Sequence, residues 1–488
     1  MHTDLTAQQK DYAVFLPALS SFYASELGKA LMVKDYIAAK RMPQQFNHGV
    51  AGMNYLSPNN TYFYYKWHLY SAGHADLNMN KPSVRDEIIR NRNRSHNFVL
   101  GDSGGFQIGK GVWEGNWKDV NCVKAKKKRE QVLAWMDANM DYGMILDIPA
   151  WVSRSPEGAK ASNINSYQEA VDGTRINNDY FMKHRTGSCK FLNVLQGENF
   201  QQADDWYDQM KDYCDPKKYP TTHFNGWAMG GQNMCDVHLV LKRLVALRFD
   251  GLLEKGVHDW MHFLGTSKLE WAVLLTDIQR AVRKYHNENF TISFDCASPF
   301  LATANGQLYI ETDIKDRDKW SYRMAPSIDD KKYATDTRKF RDAVLQEKIF
   351  DNFEDSPISE RLTLKDITCY APGDKNKMGK EGRTSWDSFS YALQMAHNVW
   401  THIFAVQEAN RKYDQGLKPA MLVEEKFDKT EFKHIVEAVF STDSRDTAEA
   451  VIEEYSRFWM SIIGTRGATG KKTVNASTQF SNLFEEVQ

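Results

Sequence analysis

The sequence predicts an α/β protein built as a (β/α)8 TIM barrel with a helical insertion and a C-terminal helical extension. Two observations carry that expectation. Short apolar runs ending in small or acidic residues recur through roughly the first three hundred positions: FVLGDSGG, YGMILDIPA, CKFLNVLQGEN, FNGWAMGGQN and FTISFDCASP. Between them lie stretches such as KKREQVLAWMDANMD and EWAVLLTDIQRAVRKYH, whose apolar residues fall at helical spacing. Strands alternating with helices imply parallel βαβ units, and this many units favour a closed barrel over an open sheet. A chain of 488 residues has room for one large barrel with appendages.

The opening stretch, MHTDLTAQQKDYAVFLPALSSFYASELGKAL, has no basic segment before its short apolar run, and no uninterrupted apolar run approaches a membrane span. The six cysteines, Cys122, Cys189, Cys214, Cys235, Cys296 and Cys369, are scattered and form no CxxC pair, which suits a reducing compartment. A cytoplasmic protein without membrane contact is expected. Charged residues make up 26% with a formal net charge of -1, so any nucleic-acid contact has to come from local basic patches.

In the segment from Asn97 to Trp113 an apolar run delivers Asp102 and Ser103 onto the pair Gly104-Gly105. Polar residues just past the C-terminal ends of parallel strands gather on one face of either architecture. Asp102, Asp147, Gln196, Gly230-Gly231 and Asp295 are therefore expected to converge despite their separation in sequence. RNRNRSH, Arg90 to His96, precedes the Asp102 strand and falls at the opposite end, in solvent. KAKKKRE follows it, and Lys124, Lys126, Lys127, Lys128 and Arg129 are candidates to grip phosphate, although such a run is more often a solvated helix face.

HDWMH places His258 and His262 at i and i+4, with His223, Cys235 and His238 nearby, but the glutamate of a zincin is absent, so packed histidines are expected there. Cys296 has no indicated histidine partner and reads as a small buried hydrophobe. From about Thr312 to 385 the pattern becomes a charge-dense helical and loop insert, with APGDKNKMGKEGR as an exposed loop. A long amphipathic helix from Trp386 to about Tyr413 ends a barrel unit spanning 1–414. The remainder, 415–488, reads as helices with a mobile tail from Gly464. GTRGATGKKT in that tail has Thr465 where a phosphate loop needs glycine, and no strand precedes it.

Two carboxylates at strand ends, flanked by glycines and a glutamine, suit displacement at a sugar carbon: one attacks C1′ and the other moves protons. A lone strand-end aspartate is more often a cap or turn residue, so the argument rests on the set. That set, GDSGGFQ, LNVLQG, GWAMGG, HFLG and FDCASPFLATANGQLY in this order over about Asn97 to Ile310, resembles the tRNA-guanine transglycosylase family, whose (β/α)8 barrel exchanges a guanine in nucleic acid for a free 7-deazaguanine. The resemblance implies Asp295 as nucleophile and Asp102 as general acid/base. It implies a base pocket of Ser103, Gly104, Phe106, Gln107, Asp147, Gln196, Gly197, Gly230 and Gly231. Asp147 would accept from the guanine N1–H and 2-amino groups.

The chain departs from the family in two places. Leu301 and Ala304, beside Phe300 and Thr303, stand where a TR-x-x-R stretch would touch the tRNA anticodon loop. The CxCxxC zinc cluster is missing; only His397 and isolated Cys369 remain, too few for a structural zinc, so no metal and no other cofactor is expected. A branch with these losses is similar to the phage and bacterial DNA-guanine transglycosylases, which implies a bacterial or phage-infected cell, DNA as partner, and insertion of a base such as 7-cyano-7-deazaguanine (preQ0). The flipped guanine would be helped out of the stack by aromatics such as Trp113, Trp117 or Trp227. Three alternatives stand beside this reading: the same exchange on tRNA, a base-excising glycosylase, and a non-catalytic nucleic-acid-binding partner subunit. Retention of both Asp102 and Asp295 speaks against the last. Oligomeric state is left open.

Overall fold

A computed structural model describes residues 3–33, 36–37, 42–81, 83–328, 330–368, 387–425 and 429–462. Eight strands, β1 (Val14–Pro17), β2 (Trp67–Ser71), β3 (Phe98–Asp102), β4 (Tyr142–Met144), β5 (Lys190–Leu195), β6 (Gly226–Met229), β7 (Trp260–Phe263) and β8 (Thr291–Cys296), form one parallel sheet in the order β1-β8-β7-β6-β5-β4-β3-β2. The two ends meet. Ala18 bridges Leu69, the Leu19 N–H donates to the Leu69 carbonyl at 3.0 Å, and the Tyr65 hydroxyl donates to the Phe15 carbonyl at 2.6 Å. With helices outside, the chain forms a (β/α)8 barrel, as its pattern predicts. Five of the eight strands are the apolar runs that the pattern marks. VFLP, WHLYS and WMHF are not among them; none of the three runs directly into a glycine or an acid, and two carry a buried histidine, His68 and His262.

Side chains fill the lumen. Phe98 on β3 stacks on Trp260 of β7 with centroids 4.4 Å apart, and Tyr142 of β4 lies 5.4 Å from the same indole. These are the first residues of their strands, and β7 neighbours neither β3 nor β4, so the contacts of Trp260 cross the barrel and close its N-terminal end with an aromatic floor.

The insert begins differently from expectation. β9 (Gln307–Ile314) and β10 (Trp320–Pro326) make an antiparallel hairpin, not helix or loop. WSYRMAP alternates bulky and polar residues, and the Asp316 carboxylate closes the turn by accepting from the Asp318 and Lys319 N–H groups at 2.9 and 3.0 Å. Short helices Phe340–Gln346 and Leu364–Ile367 follow. The APGDKNKMGKEGR loop, Cys369, and the GTRGATGKKT tail lie outside the described residues. The expected long helix is Ser388–Asp414, capped by Asp387, whose carboxylate accepts from the Ser390 N–H at 2.8 Å. It is buried along most of its length between β9 and the barrel helices Ser298–Ala304 and Leu269–Tyr285, and so joins the insert to the barrel.

Helices Phe432–Ser441 and Arg445–Glu454 cover the outer faces of Leu269–Tyr285 and Val237–Phe249. Arg248 reaches the Phe440 carbonyl at 2.8 Å, and His238 Nε2 lies 3.0 Å from Glu453. No helix among the described residues is long and apolar enough to cross a membrane.

Candidate active site

The last residues of β2 and β3, Ser71 and Asp102, are register partners, and the Ser71 hydroxyl donates to Asp102 Oδ2 at 2.5 Å. Burial raises the Asp102 carboxyl above the usual carboxylate range, the Ser71 hydroxyl and the Gly104 N–H pull it back, and the like charge of Asp295 raises it further. Gly104 turns the chain with a φ of 77°, left-handed backbone that favours glycine, and starts the helix Gly105–Gly109. Ser103 is buried, and its hydroxyl has no partner among the described residues.

Asp147 follows β4. Gln196, just past β5, donates from Nε2 to Asp147 Oδ2 at 2.8 Å. Burial lifts the Asp147 carboxyl from 3.8 to about 7, opposed by that hydrogen bond and assisted by the negative charge of Asp102. The Asp102 and Asp147 loops touch because residue 105 has no side chain: a Cβ there would lie 2.3 Å from the Asp147 carbonyl oxygen. On the next two loops Asn233 Nδ2 donates to the Gln196 carbonyl at 3.1 Å and the Gln232 N–H to the Gly197 carbonyl at 2.8 Å, packing Gln196-Gly197 against Gly230-Gly231. Gln196 Oε1 is buried with no donor among the described residues, an acceptor ready for a ligand.

Asp295 lies near the end of β8, buried. Its Oδ1 accepts from the Gly265 N–H at 2.9 Å and lies 3.1 Å from His262 Nε2. Asp102, Asp147, Gln196, Gly230-Gly231 and Asp295 thus share the C-terminal mouth of one barrel, as the strand-end pattern requires. Phe106 and Gln107 brace its loops: Phe106 packs 5.7 Å from the Trp151 ring, and the Gln107 side chain lies against Gly73.

The structure removes Arg129 from the candidate phosphate grip and leaves the lysines of that run at the surface. Arg129 is buried, with Nε donating to Asn177 Oδ1 at 2.5 Å, so it cannot reach phosphate; the helical period turns it inward while Lys126 and Lys127 face solvent. Lys124 pairs with Glu114 at 2.8 Å, and Lys128 lies half-buried 4.8 Å over the Trp113 ring. Trp117 and Trp227 are fully buried, each indole N–H donating to a backbone carbonyl, Trp113 and Leu252, and neither offers a face to a base. Arg92, in the segment expected in solvent, has a side chain only 1% exposed and pairs with Asp141 at 2.9 Å. His258 and His262 are packed histidines, as expected: both are fully buried, His258 in a turn with Nε2 2.8 Å from the Cys214 carbonyl and His262 on β7. Cys296 does have a histidine beside it, His402, with Nε2 3.6 Å from Sγ.

The residues present do not fit a family-type zinc. His397 uses both ring nitrogens, Nδ1 at 2.8 Å from Ser356 Oγ and Nε2 at 2.8 Å from the Tyr309 carbonyl, and burial takes its pKa down to about 4. No group of three or more His, Cys, Asp or Glu among the described residues is arranged to hold a metal ion.

Ser71, His262 and Gly265 complete the site and were not expected in it individually. HFLG hinted at the last two; Ser71 carries no sequence signal of its own. No family model matches the chain, and no curated protein is significantly similar to it.

Proposed function

We propose that the protein is a guanine transglycosylase that exchanges guanine in DNA for a free 7-deazaguanine such as 7-cyano-7-deazaguanine. The observation that carries this reading is the division of labour among three carboxylates at one barrel mouth, Asp147 and Asp295 buried and Asp102 partly so. Asp295 has one oxygen held by donors, Asp102 is pushed toward its protonated form, and Asp147 is paired with Gln196 at the position for reading a base edge.

In the first half-reaction Asp295 Oδ2 attacks C1′, the C1′–N9 bond breaks, and the proton on Asp102 goes to the departing guanine. In the second, Asp102, now a carboxylate, takes the N9 proton of the incoming base. That nitrogen attacks C1′, the glycosyl ester breaks, and Asp295 returns as carboxylate. Two displacements on one carbon retain its configuration. Water is disfavoured as the second nucleophile as long as a base fills the pocket.

DNA is preferred to tRNA because the helix Ser298–Ala304 presents no cation. Phe300 packs 5.5 Å from the Tyr23 ring, and Thr303 accepts from Asn398 at 2.9 Å, so this helix turns toward the interior and the long helix Ser388–Asp414. The deciding experiment is exchange of labelled guanine, in DNA and separately in bulk tRNA, against unlabelled 7-cyano-7-deazaguanine, with Asp295→Ala as control. Release from DNA only is the expected result. Release from tRNA only moves the activity to tRNA, release without added base makes the protein an excising glycosylase, and no release from either leaves a binding subunit.

A further inference from the structure

Asp295 is the top of a hydrogen-bonded ladder that rises inside the barrel from the aromatic floor. The Trp260 indole N–H donates to Ser293 Oγ at 2.8 Å, Ser293 Oγ lies 2.9 Å from His262 Nδ1, and His262 Nε2 lies 3.1 Å from Asp295 Oδ1. The four residues alternate between β7 and β8, where His262 and Ser293 are register partners, and both of these are fully buried.

With Asp295 as the attacking carboxylate and His262 as a neutral imidazole, the hydrogen bonds admit one proton arrangement. An indole N–H only donates and an ionised carboxylate only accepts, so the proton facing Asp295 is on Nε2. A neutral imidazole then has a bare Nδ1, and the Ser293 hydroxyl, already accepting from Trp260, turns its own hydrogen to that nitrogen. Every rung donates toward Asp295. The His262 ring is 0% exposed with both nitrogens engaged, so it touches no substrate and acts only through the carboxylate.

We propose that His262 is a positioning residue for Asp295. Its Nε2–H and the Gly265 N–H hold the same oxygen, Oδ1, which fixes the carboxylate plane and leaves Oδ2 as the oxygen that attacks. What Oδ2 attacks rests on the transglycosylase reading; the positioning does not. The titratable groups around Asp295 are His262 on β7 and Asp102 at the end of β3, with His74 and Asp147 next to Asp102, and Cys296 with His402 beside it.

The test is substrate-free first. In full-length protein carrying 13C-labelled aspartate, the Asp295 carboxyl resonance is identified by its loss in Asp295→Asn, and its chemical shift is compared at one pH in wild type, His262→Phe and His262→Gln. The expected result is a displaced resonance in His262→Phe and a near wild-type one in His262→Gln, whose amide restores an N–H donor. Single-turnover guanine release from DNA then falls on the order of 10- to 100-fold in His262→Phe, with DNA affinity unchanged, and recovers in His262→Gln. If His262→Phe does not fold, Ser293→Ala carries the test: Nδ1 loses its donor, and the Asp295 resonance is again displaced. An undisplaced resonance in a folded variant overturns the proposal. A resonance that moves while wild type releases no guanine from DNA or tRNA leaves the positioning in place and removes the transglycosylase reading.

Discussion

Ser71 Oγ donates to Asp102 Oδ2 at 2.5 Å across the β2–β3 pair, a charge-assisted bond made between the last residues of two strands. The bond favours the carboxylate against the burial that favours the neutral acid. Ser71→Ala therefore raises the Asp102 pKa further, and the alkaline limb of guanine release, which needs protonated Asp102, moves to higher pH. Ser71→Thr keeps the hydroxyl and the limb. The pH dependence of single-turnover release decides it, and a limb that stays put in Ser71→Ala removes Asp102 as the proton donor.

The two acids proposed for catalysis separate by what their amides retain. Asp295→Asn has no nucleophile and abolishes exchange. Asp102→Asn keeps shape and hydrogen-bonding capacity but has no proton to move, so turnover falls roughly 10²–10⁴-fold while DNA binding is retained. Equilibrium binding and exchange on the same preparations distinguish the two, and normal turnover by Asp102→Asn contradicts the assigned role.

The barrel and the meeting of its acids were legible because a parallel strand that ends in an acid places it at a defined face. Asp102, Asp147 and Asp295 needed no knowledge of contacts. What was not legible depends on which residue lies opposite which. Ser71 reaches Asp102 only through the β2–β3 register, and His262 reaches Asp295 only through the β7–β8 register. HDWMH shows two histidines that pack inside, but not that His262 alone reaches Asp295. Likewise KAKKKRE shows its charge in sequence but not that Arg129 is turned to Asn177.

Asp147 makes recognition and stability respond to pH in opposite directions. Its pKa is raised from 3.8 to about 7, so the folded chain keeps this proton between about pH 4 and 7 while the unfolded chain releases it. Stability is lost as pH rises through that window and stays low above it. Asp147→Asn gains nothing at pH 4 and on the order of 2–4 kcal/mol by pH 8, read as a rise in Tm. On the transglycosylase reading, guanine binding by wild type is expected to behave oppositely, since only the ionised form accepts from both N1–H and the 2-amino group. Affinity improves as pH rises through about 7 and is at least ~10-fold weaker in Asp147→Asn. A guanine Kd flat from pH 5.5 to 8.5 would show that Asp147 does not read the base.

Lys128 and Arg129, adjacent in sequence, have opposite expected effects. Lys128 Nζ lies 4.8 Å over the Trp113 ring, and that ring packs so close to Gly104 that a Cβ there would be 2.6 Å from it, two residues from Asp102. Of the basic run, this lysine is tied most directly to the mouth, whereas Lys124 is engaged by Glu114. Lys128→Ala weakens DNA binding uniformly across sequences and lowers the slope of log K against log salt by about 1. Arg129→Ala removes the buried partner of Asn177 and lowers stability by about 1–3 kcal/mol, with the salt slope unchanged. Binding titrations at several salt concentrations, beside thermal melts, separate the two. An unchanged slope in Lys128→Ala would place the DNA backbone on another sector of the rim, and a lowered slope in Arg129→Ala would mean that the helix Val123–Asn139 turns on binding.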